Sequence, residues 1–295
     1  MDILLFGKNG QVGWELQRAL APLGNVIALD SRSTHYCGDF NNPAGVAETV
    51  RAIKPQIIVN AAAYTAVDKA ESDQANAECV NTLAVTEIAK AAEEVGAWFI
   101  HYSTDYVFNG EGEKPWREDD VTGPLSVYGA TKLNGEKGIQ RYCSRYLIFR
   151  TSWVFAAKGN NFAKTMIKLA KDRDTLSVIN DQHGAPTGAD LIADCTAHAI
   201  RTAVVNSKVA GVYHLVASGV TTWHSYATKV IEIAKEHGIE LKVQDINPVP
   251  TSAFPTPAKR PANSRLNTEK FQQTFSLNLP EWQTGVERML IETLG

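Results

Sequence analysis

Asp2-Ile3-Leu4-Leu5-Phe6-Gly7-Lys8-Asn9-Gly10-Gln11-Val12-Gly13 opens the chain with an apolar run, a glycine turn and the start of a helical pattern. Ile3–Phe6 is continuously apolar, as suits a strand covered on both faces. From Val12 onward, Leu16 and Leu20 fall on one side of a helix. In this strand–turn–helix order, the glycine spacing acquires a mechanism. Gly7 permits the tight turn, Gly10 lets backbone N–H groups approach a pyrophosphate, and Gly13 lets helix and strand pack closely. The helix N-terminus favours the anion. The plain alternative is a glycine turn with no ligand.

The chain outward from this turn repeats one alternation. Asn25–Asp30 is a second strand ending in an acid, placed to accept hydrogen bonds from an adenosine ribose and so favouring NAD. Arg32 follows two residues later, where a guanidinium can hold a 2′-phosphate, and cofactor choice stays open between NADH and NADPH. Val46–Ile53 reads as a helix and Gln56–Asn60 as a strand leading into the small residues Ala61–Ala63. Val67–Gly96 is largely helical, with Asn81 inside it as a mildly unfavourable, solvated residue. Trp98–Tyr102 delivers Ser103, Thr104 and Asp105 to its carboxyl end, and Tyr146–Phe149 delivers Arg150 to Trp153. Strands alternating with helices predict an α/β fold with a doubly wound, Rossmann-type parallel sheet. Ligands of such sheets lie outside the carboxyl ends of the strands, where the glycine turn, Asp30, residues 61–65, Thr104 and Trp153 all fall.

Tyr128-Gly-Ala-Thr-Lys132 follows a polar loop at 109–125. On a helix the two end residues share a face one turn apart. An ammonium there is expected to lower the phenol's pKa, each unit being worth about 1.36 kcal/mol. The second half changes character, with helices at 162–171, 188–204 and 222–237, an apolar run at 211–216 and a closing helix at 281–294. Between Pro248 and Pro261 stand five prolines, which exclude regular structure along the whole segment. The division expected is a dinucleotide-binding domain at 1–155 with 188–218 returning to it, and a smaller substrate domain from 156–187 and 219–295. Arg260 and Arg265 are placed to hold a phosphorylated substrate or simply to be solvated.

The composition frames these readings. The chain has 295 residues, 44% hydrophobic and 21% charged, with a net charge of −3, which gives no basic field for nucleic acid or an anionic membrane. No apolar run approaches the roughly 20 residues of a bilayer span. No export signal is read at the N-terminus. Cys37, Cys79, Cys143 and Cys195 are scattered without metal or redox spacing, and a cytoplasmic setting is expected.

The residues Gly7–Gly13, Asn60–Ala63, Asn81, Ser103-Thr104, Tyr128 and Lys132 together resemble the extended short-chain dehydrogenase/reductase family. Within it, HYSTDYVF, SVYGATKLNGE, VINDQHGAPTGADL and RPANSRLNTEKF are similar to the branch acting on dTDP-4-dehydro-β-L-rhamnose. The resemblance implies NAD(P)H-dependent reduction of that sugar's C4 ketone to dTDP-β-L-rhamnose, the last step of rhamnose supply for cell-surface polysaccharide such as the O-antigen of lipopolysaccharide. It implies that Tyr128 donates the proton, Thr104 polarises the C4 oxygen, and Lys132 binds the nicotinamide ribose and tunes the phenol. Gly10, Gln11 and Val12 would meet the pyrophosphate, and Asp30, Asp39 and Phe40 the adenosine. Ala63, Tyr64, Thr65 and Tyr102 would line the cofactor groove, and Asp105 and Trp153 would contact the nucleotide sugar. A homodimer is also implied, with Mg²⁺ near the subunit contact at Glu15, Asp190 and Glu292, an aspartate standing at 190 where the family pattern has glutamate. Two other readings compete, a non-catalytic regulatory subunit of the same fold and a reductase or epimerase of another nucleotide sugar. The intact Thr104, Tyr128 and Lys132 favour catalysis over the first.

Overall fold

A computed structural model describes residues 1–294. The central sheet is built from β1 (Asp2–Phe6), β2 (Asn25–Leu29), β3 (Ile57–Asn60), β4 (Trp98–Thr104), β5 (Tyr146–Thr151) and the later strand Gly211–His214. Their spatial order is Gly211–His214, β5, β4, β3, β1, β2, and every neighbouring pair runs parallel. The chain therefore leaves β1 in one direction for β2 and returns on its other side for β3. That reversal makes a crevice at the carboxyl ends of β1 and β3, the ordinary ligand position in an open parallel sheet.

Helices cover both faces, as an all-parallel sheet requires. On one side α1 (Gln11–Leu20) and Ala189–Val205 pack over Leu5, Val59, Ile100 and Phe149. On the other, α2 (Pro43–Ile53) and α5 (Ala84–Val95) enclose Leu4, Ile58, Phe99 and Ile148. The apolar run at 211–216 joins the main sheet beside β5, Val212 pairing with Ile148. Residues 269–279, which the division by sequence put in the smaller domain, belong to the sheet's core. Phe271 and Phe275 pack on Phe149 and Tyr213. A separate cluster around Phe155, Met166, Tyr226, Trp282 and Leu290 forms the smaller lobe. No helix among the described residues is long and apolar enough to cross a membrane. All four cysteines are free thiols.

The helix bearing Tyr128 and Lys132, α6 (Val127–Tyr142), starts where the Ser126 hydroxyl accepts Gly129 N–H at 3.2 Å. Its glycines let it lie against the neighbouring helices: a Cβ on Gly135 would stand 2.3 Å from the Asn81 carbonyl oxygen. One turn beyond Lys132, Glu136 accepts from Arg150 of β5, Nε to Oε1 at 3.0 Å and Nη2 to Oε2 at 2.7 Å. Both side chains are buried, so the pair is worth little net but neither partner tolerates losing the other. Glu136→Ala is expected to cost about 3–5 kcal/mol of unfolding free energy by strandng Arg150. Urea denaturation measures it, and a loss below about 1 kcal/mol would show that water reaches the guanidinium.

Candidate active site

The turn after β1 is held by contacts that a side chain would destroy. Gly7 has φ of 84°, and its carbonyl accepts Gly10 N–H at 3.0 Å. A Cβ on Gly13 would lie 2.0 Å from that same carbonyl oxygen, so α1 sits directly on the turn. Gly10 caps α1 without any side-chain bond, leaving the first-turn N–H groups to face outward. They open on a cleft of about 490 Å³ lined by Gly7, Gly10, Gln11, Val12 and Asp30 at one end. Asp39, Phe40, Ala63 and Thr65 also line it. Tyr102, Tyr128 and Lys132 form the other end.

The remaining expected residues lie elsewhere. Gly13 packs beneath the turn, as its role requires. Arg32 is exposed, and only its backbone N–H engages the site, donating to Asp30 Oδ1 at 3.0 Å. Asp30 also accepts from Ser33 and Asn9 and lies 4.0 Å from Lys8 Nζ. These partners outweigh its desolvation and hold its pKa below the usual value. The Tyr64 side chain turns away and donates to Asp73 Oδ2 at 2.9 Å, while its backbone is gripped on both sides by Asn81. Asn81 is therefore buried rather than solvated. It sits in a π turn (Cys79–Leu83) that interrupts the helix expected across 67–96.

Thr104 and Asp105 are buried where β4 ends. The Thr104 hydroxyl donates to Asp105 Oδ1 at 3.0 Å, accepts Tyr106 N–H at 3.2 Å, and stands beside the Tyr128 phenol. Burial raises the phenol's pKa well above its ordinary value, with Thr104 opposing and the Asp105 carboxylate reinforcing. The expected tuning by Lys132 is not found. Its Nζ instead donates to the Tyr102 carbonyl at 2.6 Å and meets His101 Nε2 at 3.1 Å. Desolvation brings the amine down to about 8, against a raising influence from Glu136. The helix spacing correctly put Tyr128 and Lys132 on one cleft wall, but β4 supplies the amine's nearest partners.

Trp153 lies beyond the cleft, stacked on Trp223 with ring centroids 3.7 Å apart and φ of 49°. A bulky residue with positive φ is a strained outlier. Trp223 lines an adjoining groove with Tyr106, Phe162, Phe254 and Arg260. Arg260 donates to Asp68 Oδ2 at 2.6 Å and Arg265 to Asn263 Oδ1 at 3.1 Å, so neither is merely solvated. The sequence reading gave no role to His101, Thr151 or Val154. A histidine inside an otherwise apolar buried strand was the available signal for the first.

Glu15, Asp190 and Glu292 do line one cleft, on the far side of α1. However, Glu15 lies 3.4 Å from Arg18 and Asp190 3.5 Å from Arg288. No group of three or more metal-binding side chains forms among the described residues. The donors as arranged do not fit Mg²⁺, because two of the three carboxylates are already paired with guanidinium groups.

A nicotinamide cofactor does fit the other cleft. Within the glycine cradle, neither Gly7 nor Gly13 has room for a Cβ. At its reactive end, the buried Ser103 and Thr151 hydroxyls have no hydrogen-bond partner among the described residues. Fold and cleft together define an NAD(P)H-dependent oxidoreductase of the extended short-chain dehydrogenase/reductase class. More particularly, the family described as RmlD substrate binding domain matches residues 1–294, and the chain belongs to that family. It is 69% identical to the dTDP-4-dehydrorhamnose reductase of Escherichia coli K12 over 292 residues, covering 99% of this chain and 98% of that one. The crystal structure of the Clostridium acetobutylicum dTDP-4-dehydrorhamnose reductase superposes with a TM-score of 0.90 at 34% identity, covering all of both chains. That of the Bacillus anthracis reductase in complex with NADP gives 0.88 at 34%, covering 99% of each.

Burial lifts the Asp105 carboxyl to about 6, against hydrogen bonds from Ser264 and Thr104. The folded chain then binds this proton more tightly than the unfolded chain, whose aspartate titrates near 3.8. Stability from this group is present below about pH 4 and is lost as pH rises to about 6. Asp105→Asn is expected to gain on the order of 2 kcal/mol relative to the parent between pH 4 and 6.5. Urea midpoints across that range read the difference, and a gap independent of pH would discard the raised carboxyl.

Proposed function

We propose that this chain reduces the C4 ketone of dTDP-4-dehydro-β-L-rhamnose to dTDP-β-L-rhamnose, the last step of dTDP-rhamnose synthesis, with the product feeding cell-surface polysaccharide. The observation that carries this reading is the Tyr128 phenol standing beside the Thr104 hydroxyl at the inner end of the cofactor cleft. NADPH or NADH, when bound, supplies hydride to C4. The protein must then deliver a proton to an oxygen becoming an alkoxide, and a phenol can do so. Its raised pKa suits this direction, because Tyr128 keeps its proton until the more basic alkoxide takes it. Thr104 stands beside the phenol, and its O–H, given to Asp105 in the free protein, turns to donate to the same C4 oxygen.

Gln11, Val12 and the bare N-terminus of α1 hold the pyrophosphate in this reading, and Asp30, Asp39 and Phe40 surround the adenosine. Asp105 and Trp153 bound the substrate side. Exposed Arg32 and the nearby Lys8 support NADPH at least as well as NADH. The reading includes a homodimer, for which Trp14 and Ile291, large apolar side chains left exposed beside the Glu15 cleft, speak.

Tyr128→Phe is expected to bind NADPH and NADH as the parent does, NADPH at least as tightly, and to lose about 10²–10⁴-fold in turnover. Cofactor fluorescence gives the binding, and NAD(P)H absorbance with dTDP-4-dehydrorhamnose and a UDP-linked keto sugar gives the turnover. Full activity in the variant would remove Tyr128 from the chemistry, and turnover of only the UDP sugar would reassign the substrate.

A further inference from the structure

The partners of Lys132 form a chain whose hydrogens can be assigned one by one. Asn60 and His101 face each other across the β3–β4 pair. Asn60 Oδ1 accepts Ala62 N–H at 2.9 Å, which fixes the carboxamide with its nitrogen toward His101. That nitrogen lies 3.1 Å from His101 Nδ1. An amide NH₂ only donates, so Nδ1 must accept, and a neutral imidazole then carries its proton on Nε2. Nε2 faces Lys132 Nζ at 3.1 Å. An ammonium has no lone pair to receive that N–H, whereas a neutral amine accepts it and still donates to the Tyr102 carbonyl at 2.6 Å. All three side chains are buried, with Asn60 and Lys132 1% exposed and His101 fully covered, so no solvent relieves the conflict.

We infer that at alkaline pH Lys132 is a neutral amine in the cofactor-free protein, held by the Nε2–H tautomer of His101, and that it takes up a proton from solvent when the cofactor binds. This rests on the reductase reading above. His101 is a positioning residue: it sets the state of Lys132 and touches neither substrate nor cofactor. Around Lys132 the titratable and charged groups are His101 on β4, Tyr128 and Glu136 on its own helix, and Arg150 on β5. The Glu136 carboxylate favours the ammonium but is shared with Arg150. Burial dominates, drawing the amine down to about 8 and keeping the ring neutral. A polyanionic, hydroxyl-rich dinucleotide in the cleft that Lys132 lines reverses this balance. The amine gains one proton and His101 keeps its own. The cation missing from the phenol's surroundings in the free protein thus arrives with the cofactor.

Two measurements test this. In the cofactor-free protein labelled with ¹⁵N-histidine, with the His101 signal assigned by its loss in His101→Gln, the Nε2–H tautomer is expected. An Nδ1–H tautomer overturns the inference. Calorimetric titration of NADPH at pH 9, in buffers of differing ionisation enthalpy, is expected to show uptake approaching one proton. Affinity is expected to weaken about tenfold per pH unit above pH 8. Asn60→Asp, which demands His101 Nδ1–H and frees Nε2 to accept from an ammonium, is expected to abolish the uptake. NADPH binding without proton uptake by the parent overturns the inference and leaves the reductase reading intact. Failure to bind NADPH at all overturns that reading instead.

Discussion

The site depends on the buried carboxamide of Asn81. It accepts Tyr64 N–H, donates to the Tyr64 carbonyl and reaches Thr131 Oγ1 at 3.2 Å, one residue before Lys132. One side chain thereby ties the segment after β3 to the helix bearing Tyr128 and Lys132. The π turn around it is what lets a polar residue within a helical stretch aim at two neighbours at once. Thr82 adds a second tether through the Thr131 carbonyl at 2.8 Å. With these bonds unmade, several polar groups would be buried without partners, which is costly in a low-dielectric interior. The glycine-turn cleft and the wall bearing Tyr128 and Lys132 therefore share one rigid frame.

What was legible in the sequence follows from what backbone geometry demands of composition. Gly13 could be read because no other residue survives a carbonyl oxygen 2.0 Å from its Cβ, and Gly7 because Ala61 and Ala62 backbone atoms would stand 2.6 Å from one. The strand ends could be read because parallel strands are continuously apolar and ligands gather at their carboxyl ends. Helix spacing put Tyr128 and Lys132 on one wall. It could not reveal which way the amine turns, since His101 and the Tyr102 carbonyl reach it from a strand about 30 residues earlier. The phenol's pKa departs from what the spacing predicts for the same reason: burial, a tertiary property, outweighs the spacing of a charge. The helix Glu269–Phe275 was missed although Phe271 and Phe275 stand one turn apart, and their packing on Phe149 moves that segment to the main sheet. The three expected metal ligands share a cleft, yet Arg18 and Arg288 had no place in the motif that suggested them.

The two lobes meet through backbone and side-chain hydrogen bonds as well as apolar packing. Asp68, on the short helix Val67–Ala70, accepts from Arg260 Nη2 and from the Ala258 backbone N–H. Asn263 takes its place under the loop after β4 by donating to the Lys114 carbonyl at 2.9 Å. The proline-rich strap from 248 to 261 is thus pinned at its far end, while Thr251 is held by Asp181 at its near end. Such contacts, with the apolar cluster of Phe108, Leu133, Ala185 and Leu266, fix where the smaller lobe lies over the sheet.

The Trp153–Trp223 stack has an optical consequence. Two indoles 3.7 Å apart and inclined by 16° couple their transition dipoles, so they absorb and emit as a pair rather than singly. One ring belongs to the segment leaving β5 and the other begins a helix of the smaller lobe, with Gly184 leaving just enough space beside the Trp153 ring. A shift of either lobe by an ångström changes that coupling. The chain carries, in its own residues, a circular-dichroism gauge of how the segment leaving β5 is seated on the smaller lobe.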